Sequence, residues 1–143
     1  MWFVNVKFGF LADYANQSAG GKINAMGTFD RIRTLAFPLM QPQLALVLAF
    51  DVTSVEAGIA KNFQVSLVSA EGKVVVPPLN LMVSLPPPPA PGPVATLWQA
   101  VNLRNVVFPA EGDYEFCVTV DGHQAYAVSL HLEKVEHSHG TSK

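Results

Sequence analysis

Apolar and polar side chains alternate along most of this chain. In WFVNVKFGF, residues 2–10, Trp2, Val4, Val6, Phe8 and Phe10 fall on one face, with Asn5, Lys7 and Gly9 on the other. That two-residue period marks a half-buried strand, because successive side chains on an extended backbone point to opposite sides. Turn residues follow in ANQSAGG, 15–21, and KINAMGTFDRI, 22–32, resumes as a second strand with Gly27 as a bulge. QLALVLAFDV, 43–52, comes next, then an EAG turn and KNFQVSLVSAEGKVVV, where Ala70-Glu71-Gly72 connects a hairpin. LNLMVSL, 79–85, and VATLWQAVNL, 94–103, flank a proline-rich loop, and YEFCVTV with YAVSLHLEKV makes the closing pair. No segment sustains a helical period. Roughly eight or nine strands separated by Gly, Pro and Asn signals predict an all-β fold, an antiparallel two-sheet sandwich in preference to a barrel.

The stretch FPAEGDYEFCVTVDG, 108–122, sharpens that expectation. It resembles the tyrosine corner of immunoglobulin-type sandwiches, in which a phenol reaches back over a tight turn to a backbone group and pins the connection between sheets. Gly112 stands two positions before Tyr114, and the apolar Phe108 enters the turn. Tyr114, Phe116, Val118 and Val120 then share one face, and Glu115, Cys117, Thr119 and Asp121 the other. The resemblance implies an immunoglobulin-like sandwich with Gly112 and Tyr114 as structural residues. The immunoglobulin cysteine would stand at Phe116; Cys117 comes one residue late, faces away and has no second cysteine to pair with. With Glu115 beside it, its thiol is expected to be pushed up in pKa and to be a bystander in the strand.

At 143 residues the chain is one domain's worth, divided here into a sandwich at 1–135 and a polar tail at 136–143. Half the residues are hydrophobic and only 14% are charged, against about 25% in an average soluble domain. The net charge of -2 and the lack of any basic run argue against nucleic acid and anionic membranes. The apolar run LALVLAF, 44–50, is far shorter than the ~20 residues of a membrane-spanning helix. The opening residues lack a cationic region and enter directly into alternation, so they read as a strand and not as a leader. With a single cysteine, the expected setting is reducing and cytoplasmic.

Several short motifs extend the likeness to known sequences. The run FGFLADYANQSAGGKINAMGTFDRI contains Asp13-Tyr14, Gly20-Gly21-Lys22 and Gly27-Thr28-Phe29-Asp30, and the closing hairpin carries Gly112-Asp113-Tyr114-Glu115-Phe116. These resemble a family of bacterial proteins defined as a domain of unknown function, over most of the chain. The resemblance implies a β-sandwich and brings no chemistry with it.

Candidate chemistry is sparse. Asp13 and Asp30 flank the loop between the first two strands, with Lys22 and Arg31 nearby, and paired carboxylates with a cation are what acid/base catalysis or small-ligand binding requires. A turn-capping Asp13 and a surface-paired Asp30 account for the same residues structurally, and that reading is preferred. No G-x-S-x-G elbow, phosphate loop or dinucleotide fingerprint is present, so no catalytic residue is expected. His123 lies in the last hairpin and His131 on an exposed strand face. His137 and His139 form an H-x-H tail that, even with Glu133 or Glu136, falls short of a metal site, so neither metal nor cofactor is expected. PPPPAPGP has P-x-x-P spacing but no flanking cation, the nearest being Lys73 and Arg104, and reads as a stiff connection.

The sequence therefore points to a non-enzymatic β-sandwich module acting through protein–protein contacts or self-assembly. The alternative is a small-ligand-binding or hydrolytic sandwich with a loop site at Asp13, Lys22 and Asp30. A homo-oligomer is expected from QLALVLAF: Leu44, Leu46, Leu48 and Phe50 fill a core while Ala45, Val47 and Ala49 leave the other face apolar. Ala125, Ala127 and Ser129, opposite Tyr126, Val128 and Leu130, repeat the pattern.

Overall fold

The structure, a computed structural model, describes residues 5–19, 22–53, 60–84 and 94–136. Nine strands run through them: β1 (Asn5–Gln17), β2 (Ile23–Phe29), β3 (Arg31–Thr34), β4 (Leu39–Thr53), β5 (Ala60–Ser69), β6 (Val74–Ser84), β7 (Val94–Phe108), β8 (Gly112–Val120) and β9 (His123–Lys134). They form two sheets, ordered β2-β1-β4-β7 and β3-β9-β8-β5-β6. All pairings are antiparallel except β3 with β9. The all-β, two-sheet architecture is the one the alternation predicts, and no helix occurs among the described residues.

The core lies between the sheets. Leu44, Leu46, Leu48 and Phe50 of β4 meet Phe63, Val65 and Leu67 of β5 and Tyr114, Phe116 and Val118 of β8. Phe50 and Phe63 pack edge to face with centroids 4.6 Å apart, a geometry that aligns the positive edge of one ring with the negative face of the other. Where β7 turns into β8, the Tyr114 hydroxyl donates to the Ala110 carbonyl at 2.5 Å and accepts from the Ala110 N–H at 3.3 Å. Its ring stands edge-on to Phe108 at 5.2 Å. Gly112 has φ of 141°, which side-chain-bearing residues rarely adopt, so the turn itself calls for glycine.

Four departures from the simple alternation matter. First, β1 shifts register between Val6 and Phe8. Val6 points into the core opposite Phe50, whereas Phe8 and Phe10 lie on the outer face opposite Ala49 and Val47. The expected grouping of Val6 with Phe8 and Phe10 is thereby corrected: one extra residue in a strand reverses the facing of everything after it. Trp2 and Val4 lie outside the described residues. Second, KINAMGTFDRI is not one strand. It breaks at Asp30, leaving β2 in the first sheet and sending β3 to the second, where it runs parallel to β9. Third, β4 and β7 change facing together. Leu39 and Leu44 both pack on the core, as do Leu103 and Val106, with the irregular step at Pro42–Gln43 and at Arg104–Asn105. Asn105 has φ of 56°. Fourth, β6 runs through Pro77 and Pro78, as only an edge strand permits.

The outer face of β4 overturns the argument for a dimer through that face. Ala45, Val47 and Ala49 are fully buried. The distal half of the β1–β2 ribbon lies over the first two: Ala15, Ile23 and Ala25 pack on Ala45 and Val47, joined by Phe10, Trp98 and Ala100. Asn102 Nδ2 donates to the Ala15 carbonyl and Gln17 Nε2 to the Trp98 carbonyl, which ties β1 across β4 to β7. Within the ribbon Gly27 has φ of 72°, and an added Cβ there would collide with the Asp13 carboxylate, so the close approach of β1 and β2 at this point calls for glycine. A strand pair of the same chain therefore supplies the cover that the sequence offered no helix to provide.

Candidate functional site

Polar groups concentrate on the outer face of the second sheet, where β3 joins β9. Register sets Asp113 of β8 opposite His131 of β9 and Glu115 opposite Ser129, while β3 lays Arg31 beside His131 and Arg33 beside Glu133. His131 Nδ1 is 2.6 Å from Asp113 Oδ1, and Nε2 lies 3.9 Å from Glu133 Oε1. Arg31 Nη1 donates to Glu133 Oε1, and Arg33 Nε is 3.5 Å from Oε2. The hydrogen bond from Arg31 holds the Glu133 carboxyl below the usual carboxylate range, against a partial desolvation that raises it. A cleft of about 630 Å3 opens over this region, lined by Asp30, Arg31, Asp113, Glu115, Ser129 and His131, among others.

The chemistry available there is limited by how the groups are engaged. Both His131 nitrogens have carboxylates as neighbours, and no hydrogen bond links His131 to Ser129 among the described residues. A nucleophile with a base in reach, the minimum for covalent catalysis, is thus not assembled. No cluster of three or more His, Cys, Asp or Glu with metal-holding geometry occurs among the described residues. What the ion pairs do accomplish is to join the four-residue β3 to β9, and β9 to β8.

The sequence candidates are dispersed. Asp30 lies in this cleft. Asp13 lies in a separate hollow with Gly27, Thr28 and Arg31. Lys22 stands at the ribbon tip, its carbonyl accepting from the Ser18 N–H. It is separated from Asp30 by the seven residues of β2, roughly 23 Å of extended chain. Arg31 is the one side chain common to the hollows of Asp13 and Asp30. Cys117 is half-buried between Ser66 and Ala127, its thiol pushed up first by burial and then by Glu115. Gly20, Gly21, the PPPPAPGP segment, His137 and His139 lie outside the described residues.

A second feature went unread in the sequence. β6 and β7 end their respective sheets on the same side of the sandwich and do not pair, leaving an apolar groove of about 510 Å3 lined by Val75, Val76, Leu79, Leu103, Arg104 and Val107, among others. Leu79 and Val107 are exposed here at 37% and 47%, and Met40, the cross-strand neighbour of Val107, at 53%. The signal was present in VVVPPLNLMV, an apolar run too proline-rich for an interior strand.

Residues 7–133 match a family of unknown function, DUF6941. The chain belongs to that family. No curated protein matches the sequence. Among solved structures, the chain is similar to the Pseudomonas fluorescens alkylpurine DNA glycosylase AlkC bound to DNA containing an abasic site analog, at 9% identity and a TM-score of 0.50. The likeness covers 91% of this chain but 30% of the glycosylase chain, and it shows a shared fold alone. No helix long and apolar enough to cross a membrane occurs among the described residues.

Proposed function

We propose that the chain is a non-enzymatic β-sandwich module that works through protein contact, and that its contact surface is the open side between β6 and β7. The observation that carries this reading is the exposed apolar groove there, lined by Val75, Val76, Leu79 and Val107, of which Leu79 and Val107 are exposed. Isolated exposed apolar residues need no explanation, but a contiguous set along two unpaired strand edges is what a partner's surface removes from water. The polar cleft is the weaker candidate, since its charged groups are largely engaged with one another. Homo-oligomerisation through β4 loses its motive because that face is covered by the ribbon.

The finer structural reading is part of the same proposal. The Tyr114–Ala110 hydrogen bonds support a tyrosine corner, and with it an immunoglobulin-like sandwich. The lone cysteine supports a reducing, cytoplasmic setting, and the motif resemblance a bacterial one. The DNA of the glycosylase complex is not carried over, given the net charge of -2.

Site-specific photo-crosslinking in the cells that make the protein tests the reading. A crosslinking residue at Val107 is expected to give discrete protein adducts that Leu79→Lys suppresses, while one at Ser129 in the polar cleft gives none. Adducts at Ser129 alone, or at neither position, would refute it.

A further inference from the structure

The two edges that flank the groove differ in what they offer. Pro77 and Pro78 lack backbone N–H groups, so β6 is blunted against pairing. β7 contains no proline and ends its sheet; one row of its peptide groups bonds to β4 and the other faces outward. The Trp98 and Ala100 carbonyls accept from the Gln17 and Gln99 amides. Beyond them, residues 101–104 line the approach to the groove until the left-handed Asn105 ends the regular run.

One charge stands in this apolar setting. Arg104 lines the groove, is exposed, and has no hydrogen bond or ion pair among the described residues. Neither β6 nor β7 contains an Asp or Glu. A second copy presenting either edge would therefore leave Arg104 unmatched. We propose, building on the contact surface assigned above, that the β7 edge accepts a short extended segment of another protein. That segment has apolar residues at alternate positions and a carboxylate that pairs with Arg104. Main-chain hydrogen bonds to β7 supply the attachment, the groove takes the apolar side chains, and the guanidinium–carboxylate pair sets the register.

The test uses the full chain and a display library of random peptides roughly nine residues long. Selected peptides are expected to alternate apolar and polar positions around a fixed Asp or Glu. Arg104→Glu is expected to weaken the best of them about tenfold or more, and exchanging the peptide's acid for Lys to restore binding. Hydrogen exchange on the complex is expected to protect amides of β7 and not of β6. Because Arg104 is exposed, its replacement does not endanger the core, and parent-like urea unfolding confirms that. Peptides without a fixed acid, an unaltered affinity in Arg104→Glu, or protection on β6 would each overturn the proposal. So would a dimer that occupies the groove and ignores the substitution. Adducts at Val107 to a partner segment lacking an acid would remove this inference and leave the contact surface standing, whereas the lack of any adduct at Val107 removes both.

Discussion

Replacing Tyr114 by Phe removes one oxygen from a closely packed turn and nothing else. The ring is buried, 3% exposed, and its edge-on contact with Phe108 survives the change, so no cavity term enters. What is lost is the bond to the Ala110 carbonyl at 2.5 Å and the longer one from the Ala110 N–H at 3.3 Å. A net hydrogen bond contributes about 0.5 to 1.5 kcal/mol, and the full penalty for an unsatisfied buried group applies only where water cannot enter. Ala110 is exposed, so both of its backbone groups regain water and the longer bond adds little. The expected cost is about 1 kcal/mol, or about 3 to 5 °C in Tm for a domain of this size. Urea unfolding should show a lower midpoint at an unchanged slope. An unchanged midpoint would mean that the phenol does not pin the β7–β8 turn; a loss above about 3 kcal/mol would mean that water does not replace it.

Two further outcomes follow from the perturbed groups. The alkylation rate of Cys117 should rise with pH along a curve centred above the ~8.5 of free cysteine, because burial and Glu115 both oppose the thiolate; a midpoint clearly below that value would make it a reactive thiol. Glu133 has a folded pKa below its unfolded value, so its contribution is complete above an unfolded carboxyl pKa of about 4.3 and disappears as pH falls through the folded one. Glu133→Gln should therefore separate from the parent in thermal stability at neutral pH and converge with it in acid. A separation that persists unchanged at pH 2 would mean that Glu133 acts through packing and not through Arg31.

Strand content and the Tyr114 turn were legible because both are local. Period-two alternation reports facing over a few residues, and the phenol bonds to a group only four residues upstream. What alternation does not report is a single inserted residue. The shift between Val6 and Phe8 reversed the outward face of β1, and nothing in NVKFGF announces it. The polar cleft was hidden for the same reason. Counting back from the Asp121-Gly122 turn pairs Val120 with His123, which projects Asp113 onto Leu130; the irregularity between Val118 and Thr119 moves it to His131. Asp13, Lys22 and Asp30 looked adjacent because they surround the connection between the first two strands, yet Lys22 and Asp30 stand at opposite ends of β2, and extended chain is the conformation that separates its own ends most. The ribbon's cover over Val47 was illegible because it joins residues far apart in the chain, Ala15, Ile23 and Ala25 with Val47, and alternation within a strand does not report what packs on its face.

That cover makes the stability of the molecule uneven. The ribbon's cover over β4 rests on Ala15, Ile23 and Ala25 and on the side-chain amide hydrogen bonds from Gln17 and Asn102, whereas β4 itself is held by long backbone pairings on both edges. A strand pair attached by so small a contact is expected to open more often than the whole domain unfolds, which faster hydrogen exchange in β2 than in β4 would report. Each opening bares a flat apolar strip with its hydrogen-bonded sheet still intact, a surface ready to stack on another open copy. Solubility during heating or long storage is then decided by a race between reclosure of the ribbon, which is independent of concentration, and encounter with a second molecule, which is not. Substitutions in the ribbon are then expected to change aggregation on storage, and substitutions in the core the unfolding midpoint.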